Sequence, residues 1–214
     1  MKYLALLTLF FATAASAGDP TVPHPNQGLL DPIAEHPEAL ELSAVEQDRV
    51  DQGRTVQRYV RGEEDGWGVA VNIVEASAEL VWDTILSYDR YPDWVNNVTS
   101  CTVYQRQDEK LYVDMQMSVL GIKKGIYTIN TVKRDEGWMA WTLDYSRKSD
   151  VQDMIGYWRV EQLSSNPPRT RLDYSTQMKA RGVPNWLVKL LTRKSLKDGT
   201  RWVKERAEEA QARR

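Results

Sequence analysis

Residues that commonly carry catalysis or bind metals are few in this 214-residue chain, and they lie far apart. Both histidines, His24 and His36, stand in a proline-rich stretch near the N-terminus, and Cys101 is the single cysteine. Histidine is the commonest general base and a typical zinc ligand, while one thiolate cannot build a metal site. We therefore expect no catalytic residue, no metal and no cofactor.

Three charged residues fall within predicted strands, namely Asp114, Asp144 and Arg159. An enzyme built on this chain would draw its acids and bases from such residues or from tyrosine, but the simplest arrangement puts them on the water-facing side of a sheet. The turn GIKKG (121–125) could cradle a phosphate, although a solvated hairpin turn is the simpler explanation. The motifs G-x-G-x-x-G, P-loop and G-x-S-x-G do not occur. A net charge of −2 gives no indication of nucleic-acid binding.

The aromatic residues favour binding over catalysis. The chain has eight Trp and ten Tyr against two Phe, and both abundant types combine a large apolar face with a polar tip. Several stand together in YDRYPDWVNNV (88–98), between a helix-like and a strand-like run. We interpret Tyr91 and Trp94 as residues that close one end of an apolar space, with Pro92 fixing the turn. A structural plug without a ligand is the alternative.

The N-terminal sequence MKYLALLTLFFATAASA (1–17) is typical of a secretory signal peptide. Lys2 precedes an apolar run, and Ala15 to Ala17 form a small-x-small cleavage site. Cleavage after Ala17 would leave Gly18 as the first residue of an exported protein, periplasmic or secreted. An uncleaved anchor is the alternative. With one cysteine, the exported chain has no internal disulfide.

Residues 18–53 are predicted to form a proline-rich, loosely packed arm and a short helix. Ser43 and Glu46 have the spacing of a capping box, and Gly53 is a plausible helix end. Residues 54–62 and 67–75 then predict a hairpin. Ser77 begins an amphipathic run as an N-cap, followed by a second helical turn over 88–97.

From residue 98 to 181 the apolar pattern changes to period two, which indicates strands. The short connections require antiparallel pairing, so this region forms a meander with one apolar face. A long helix over about 184–210, with Pro184 at its first position, needs a large apolar partner. That partner is the meander, which must curl around the helix. The predicted strands are 98–107, 111–119, 121–134, 137–146, 153–163 and 169–181.

This layout resembles the START-like superfamily with the helix-grip fold, which includes the polyketide cyclase/dehydrase and coenzyme Q-binding families. The similarity covers roughly residues 67–210. It is carried by IVEASAELVWDTILSYDRYPDWVNNV (73–98), by GYWRVEQL followed by TRLDYSTQMKA (156–163 and 170–180), and by VPNWLVKLL (183–191). The resemblance implies an α+β domain over 54–210, with a curved antiparallel sheet around the C-terminal helix and an apolar cavity between them.

The side chains expected at that cavity are large and apolar, and several are methionines, whose unbranched chains adapt to a flexible ligand. Ordinary core packing is the alternative for each of them. In GWMAWTLDY (137–145), two alternating sets are both apolar enough to face inward: Met139, Trp141, Leu143 and Tyr145, or Trp138, Ala140 and Thr142. The predicted cavity residues are Tyr91, Trp94, Met115, Met117, Trp141, Trp158, Tyr174, Met178, Leu187, Leu190 and Leu191.

These features predict a monomer that binds a hydrophobic small molecule, such as a lipid, fatty acid or isoprenoid/quinone, without catalysis. A polyketide cyclase/aromatase-like enzyme and a protein-interaction module without ligand are the alternatives. The last helix also carries a basic face that could meet a membrane transiently, or could simply be solvated. Its predicted membrane-contact residues are Lys189, Arg193, Lys194 and Lys197.

Overall fold

The computed structural model describes residues 18–61, 65–119, 121–179 and 185–214, and their side chains except those of 60–61, 65–66, 119, 185–195, 197 and 198. The predicted signal peptide and Pro184 lie outside the described residues. The helices are α1 (Ala44–Asp51), α2 (Ala78–Leu86), α3 (Tyr91–Trp94) and α4 (Asn185–Gln211). The strands are β1 (Val56–Arg61), β2 (Asp65–Val74), β3 (Val98–Gln107), β4 (Lys110–Val119), β5 (Ile122–Lys133), β6 (Trp138–Leu143), β7 (Asp153–Ser165) and β8 (Pro168–Lys179).

The eight strands form one antiparallel sheet in the order β1-β2-β8-β7-β6-β5-β4-β3. The meander β3 to β8 runs along the sheet without a crossover, as its short turns require. The hairpin β1–β2 completes the sheet beside β8. The predicted α+β helix-grip architecture is confirmed, since α4 packs against the inner face of this curved sheet.

The last helix approaches the sheet where the inner side chains are small. Gly68 and Ala70 lie on the inner side of β2, in register with Thr176 and Tyr174 of β8. A Cβ atom added at Gly68 would lie 2.3 Å from Cδ1 of Leu196. Because β2 presents almost no side chain at this point, the α4 backbone can sit close to the sheet and bury Leu196 completely.

Local sequence signals set the starts of the first two helices as expected. The Ser43 hydroxyl caps α1 by accepting a hydrogen bond from the Glu46 backbone. The Glu46 carboxylate in turn accepts one from the Ser43 backbone, which completes the capping box. The helix stops before Gly53, whose φ of +75° suits a residue without a Cβ atom. Ser77 caps α2 by accepting a bond from the backbone of Leu80.

The expectation of a single apolar face for the meander was wrong, because its outer face also buries Trp138, Ala140 and Ile155. On β2 the outward-facing Val69, Val71 and Ile73 pack with Val50 of α1 and Val56 of β1. The N-terminal arm lies against the same side of the sheet further along. The sequence pattern of β2 resembles that of a one-sided strand, but both of its sides are covered.

The arm is irregular, as predicted, but it is bound firmly to the sheet rather than loosely packed. The carboxylate of Asp153, fully buried at the start of β7, accepts bonds from the backbone of Leu30 and from the Tyr145 hydroxyl, both at 2.9 Å. Asp173 of β8, also fully buried, accepts from the Leu40 backbone at 3.3 Å and from Arg171 at 2.8 Å. The predicted boundary between the arm with its helix (18–53) and the domain that follows (54–210) stays a sequence-based prediction.

The side of the sheet that was predicted to face water is therefore largely buried under α1 and the arm. Asp114, Asp144 and Arg159 do lie on this outer side, but Asp144 follows β6 instead of lying within a strand, and it is buried under Tyr104 and Arg147. Arg159 is only 13% exposed and pairs with Glu161 at 2.9 Å. These charges belong to the contacts of the outer face and turn away from the inner one.

Replacing Asp153 with alanine should detach the arm. The change leaves the Leu30 amide and the Tyr145 hydroxyl without their acceptor, which costs about 1–3 kcal/mol for each buried group. We expect a lower free energy of unfolding in urea and faster proteolysis within residues 20–40. The control Asp135→Ala removes an exposed carboxylate and should change neither measurement. Unchanged protection of the arm in Asp153→Ala would contradict this account.

Candidate functional site

The inner face of the sheet carries a row of aromatic side chains across its middle strands. Met139 of β6 pairs with Trp158 of β7, which pairs with Tyr174 of β8. These residues and Trp141 join one cluster with Val203 of α4. The structure thus assigns Met139, Trp141 and Leu143 to the inner side of β6, and the alternate set to the outer side, where Trp138 lies near His36 of the arm.

Three of these rings pack against one another, Trp141 stacked on Tyr174 and Trp158 tilted against it. The ring centroids of Trp158 and Tyr174 are 4.4 Å apart, and those of Trp141 and Tyr174 are 5.8 Å apart. Trp141 lies over Gly156, where an added Cβ atom would come within 2.2 Å of the indole. The two tryptophans are buried, whereas Tyr174 is only partly buried. Tyr174 is therefore the member of the trio that remains in reach of a molecule on the inner side.

The segment YDRYPDWVNNV folds into a short 3-10 turn and the single turn α3, next to α4. Tyr91 donates from its hydroxyl to the Ile85 carbonyl at 2.6 Å, which ties α3 to the end of α2. Its ring meets the Trp202 ring edge-on, with centroids 4.9 Å apart, and the Trp94 ring stacks on Trp202 with centroids 6.0 Å apart. Tyr91 and Trp94 are both partly buried, so they form a rim of the inner space.

Trp202 is the site residue that the sequence reasoning missed. Leu196, Thr200 and Val203 recur at helical spacing along the last helix and form an apolar stripe, and Trp202 lies beside it. In the structure Trp202 is buried at 7% exposure and contacts the rim residues Tyr91 and Trp94. A tryptophan next to an apolar helical stripe widens the apolar surface of the helix. The position of Trp202 beside the stripe is the sequence feature that could have predicted its burial.

A second cluster fills the inner face between β3 and β4. Met115 and Met117 lie opposite Cys101 and Val98 and are only partly buried. They pack with Tyr88, which is buried. Tyr91 touches both this cluster and the aromatic one. The two groups of residues are therefore one continuous apolar surface, joined at the rim.

The other predicted site residues either lie further from this surface or have side chains outside the described part of the structure. Met178 of β8 faces Met154 of β7 on the inner side, and both are partly buried. The helix α4 contains the remaining predicted positions, but their side chains lie outside the described residues. These are Leu187, Leu190 and Leu191 for the cavity, and Lys189, Arg193, Lys194 and Lys197 for the membrane contact.

The chemistry of the inner surface is that of neutral groups. Burial raises the pKa of Tyr88 and Tyr91 above the usual range of a phenol, and it raises the pKa of the Cys101 thiol to about 12. All three groups are therefore protonated at neutral pH. A thiol with this pKa is a poor nucleophile, because the thiolate is the reactive form.

Among the described residues, the buried carboxylates lie on the outer face, where Asp144, Asp153 and Asp173 bind local partners. The same part of the chain contains no group of three or more His, Cys, Asp or Glu residues arranged to hold a metal ion. None of the helices in the described residues has the length and apolar character required to cross a membrane. The inner surface is suited to apolar contact, and aromatic stacking is its main specific feature.

Solved structures share this architecture at low sequence identity. An aromatase/cyclase from a Streptomyces species matches with a TM-score of 0.57 and 17% identity, covering 72% of this chain and 94% of its own. A START superfamily protein from Mycobacterium smegmatis matches with a TM-score of 0.55 and 18% identity, covering 73% and 98%. A protein from Thermus thermophilus matches with a TM-score of 0.57 and 15% identity, covering 66% and 97%.

At this level of identity, the structures show a common fold and leave the activity open. No curated protein sequence matches the chain. A family model described as polyketide cyclase/dehydrase and lipid transport matches residues 74–201, which is more than half of the chain. The family resemblance expected from the sequence is thereby confirmed, and the chain belongs to the polyketide cyclase/dehydrase and lipid transport family.

Proposed function

We propose that this protein binds a hydrophobic small molecule between the inner face of its sheet and α4, and releases it unchanged. The observation that carries the proposal is a set of apolar side chains on the inner side that the protein itself leaves partly exposed. They contrast with the fully buried core beside them. They are Tyr91, Trp94, Met115, Met117, Met154, Tyr174 and Met178.

The uneven position of α4 supports the same proposal. The helix packs mainly on β2 and β8 and on α2. The methionines of β4 lie on the other half of the sheet, where the cover comes from α3 and the preceding turn. A ligand that covered the exposed apolar area would gain roughly 25 cal/mol per Å². Methionine and stacked aromatic rings suit a lipid chain or an isoprenoid with a ring.

A cyclase/aromatase is the competing function, because the family description names a cyclase and the similar Streptomyces structure is an aromatase/cyclase. Cyclisation needs a group that moves protons close to the substrate, and enzymes often provide a buried carboxylate with a raised pKa for this. Among the described residues, each buried carboxylate is on the outer face and already bound by neighbours. This distribution favours binding, with Tyr174 left as the inner-face group best placed to act in a cyclase.

Replacing Trp94 with alanine should weaken ligand binding far more than it weakens the fold. The partly exposed indole closes the rim on Trp202, so its removal takes apolar area from the complex. We expect the Kd for a fluorescent fatty acid to rise at least about tenfold, which corresponds to about 1.4 kcal/mol. The melting temperature should fall by no more than about 4 °C.

Trp67→Ala is the matched control. Trp67 is also partly buried, but it lies on the outer face and donates to the Ser175 hydroxyl at 3.0 Å. This change should lower the melting temperature and leave the Kd unchanged. If Trp94→Ala lowers stability as strongly as it weakens binding, Trp94 is a structural plug. If the wild-type protein binds no fatty acid, quinone or other lipid extracted from its host, an interaction module replaces the proposal.

We further propose that the mature protein is exported and that the basic residues of α4 allow a transient contact with anionic membranes. The proposal draws on the signal-like N-terminus and on the lysine- and arginine-rich first half of α4. A carrier of an insoluble cargo must meet a membrane to load or unload, and cationic helix faces bind anionic head groups.

Membrane contact should depend on charge. The protein should sediment with vesicles containing phosphatidylglycerol at low salt and stay in the supernatant at 0.5 M salt, where the Debye length falls to roughly 4 Å. Changing Lys189, Arg193, Lys194 and Lys197 together to glutamine should abolish sedimentation at low salt. Vesicles of phosphatidylcholine alone provide the control. Sedimentation that persists at high salt would contradict an electrostatic contact.

A further inference from the structure

The first described residues of the chain dock against β5 and the loop between β6 and β7. The backbone nitrogen of Gly18 donates to Oδ2 of Asp150 at 2.8 Å. Asp19 then pairs with Lys148 in an antiparallel bridge of two backbone hydrogen bonds, at 2.8 and 2.9 Å. Gly18, the residue predicted to follow the signal-peptide cleavage site, thus lies directly on a carboxylate.

The carboxylate of Asp150 is held in place by β5 independently of the arm. Its Oδ2 also accepts from the Gly125 backbone at 2.6 Å, and its own backbone nitrogen donates to the Gly125 carbonyl at 2.9 Å. The side chain is only 14% exposed, and Nζ of Lys124 is 3.9 Å from Oδ1. The carboxylate is therefore a rigid, mostly buried acceptor that points at the start of the arm.

The space around Gly18 accepts glycine only. A Cβ atom at Gly18 would lie 2.6 Å from the Lys148 carbonyl oxygen and 3.1 Å from the Tyr127 ring. A Cβ atom at Gly125 would lie 2.9 Å from the Gly18 nitrogen. All three distances are shorter than an ordinary van der Waals contact, and the first is to a backbone atom, which cannot move cheaply. The two glycines together let the Gly18 nitrogen reach the carboxylate.

We infer that Asp150 is the binding site for the free α-amino group of Gly18 that signal-peptide removal creates. Hydrolysis of the Ala17–Gly18 bond uses one water molecule, leaving a carboxylate on Ala17 and an amine on Gly18 that takes up a proton. The neutral amide nitrogen with one donor becomes an ammonium with three donors and a positive charge. A charge-assisted hydrogen bond to a carboxylate is roughly twice as strong as a neutral one. Processing thus strengthens a contact that fastens the arm to the sheet.

The inference depends on cleavage after Ala17 and is independent of ligand binding. It is tested with four purified proteins, which begin either at Gly18 or at Ala15 and carry either Asp150 or Asp150→Asn. A fusion partner removed without residual amino acids produces both N-termini. With Asp150, the form that begins at Gly18 should melt roughly 3–8 °C above the extended form. Asp150→Asn keeps an acceptor oxygen but loses the charge, and should remove most of this difference.

Asp19→Asn is the matched control, because the Asp19 carboxylate binds Thr21 and does not contact the Gly18 nitrogen. It should preserve the difference between the two N-termini. Gly18→Ala in the form that begins at residue 18 should abolish the increase in melting temperature, because the added Cβ atom clashes with the Lys148 carbonyl oxygen. This variant replaces Asp150→Asn if the latter fails to fold. The inference would be overturned if the melting temperatures of the two N-terminal forms differ by the same amount in Asp150→Asn as with Asp150. It would also be overturned if they do not differ with Asp150. Sequencing the N-terminus of the exported protein tests the cleavage site separately, and a start other than Gly18 also overturns it.

Discussion

The structure depends on a sheet that must be covered on both faces. On the inner side, the small residues of β2, such as Gly68, allow α4 to pack directly on the strand. On the outer side, Val69, Val71 and Ile73 of the same strand require α1 and β1 to exclude water. Leaving the apolar side chains of either face exposed to water would destabilise the fold by roughly 25 cal/mol per Å². The N-terminal arm, which is outside the part that resembles the family, is therefore part of the folded unit.

The two faces divide charge from apolar surface. The buried carboxylates Asp153 and Asp173 face outward and accept hydrogen bonds from the arm. A buried polar group needs such partners, because an unpaired one is strongly destabilising. The inner face carries aromatic rings, methionines and uncharged polar side chains such as Thr128 and Asn130. Burial raises the pKa of Tyr91 and of the Cys101 thiol, so both stay protonated at neutral pH. This division produces the inner surface on which the proposed binding function rests, and it separates that surface from the buried carboxylates.

The rim at α3 links the inner surface to the helices. Tyr91 holds the end of α2 through its hydroxyl, and its ring and that of Trp94 meet Trp202 on α4. A movement of α3 would therefore change the environment of Trp202, the tryptophan of α4 whose side chain is described. The same turn contacts the methionine cluster of β4 through Tyr91. The rim is the place where the two halves of the inner surface and the last helix meet.

Local patterns in the sequence were sufficient to locate the elements. The capping residues Ser43 and Ser77, the period-two strands and the terminal helix appear in the structure close to their predicted bounds, because caps and periodicity act over a few residues. The face assignment of β6, the cover on the outer face and the contact of Trp202 with the rim needed the tertiary structure. These depend on which strands become neighbours and on where a distant segment docks. A strand such as β6, apolar on both sides, contains no local signal for that choice, since either face could be buried.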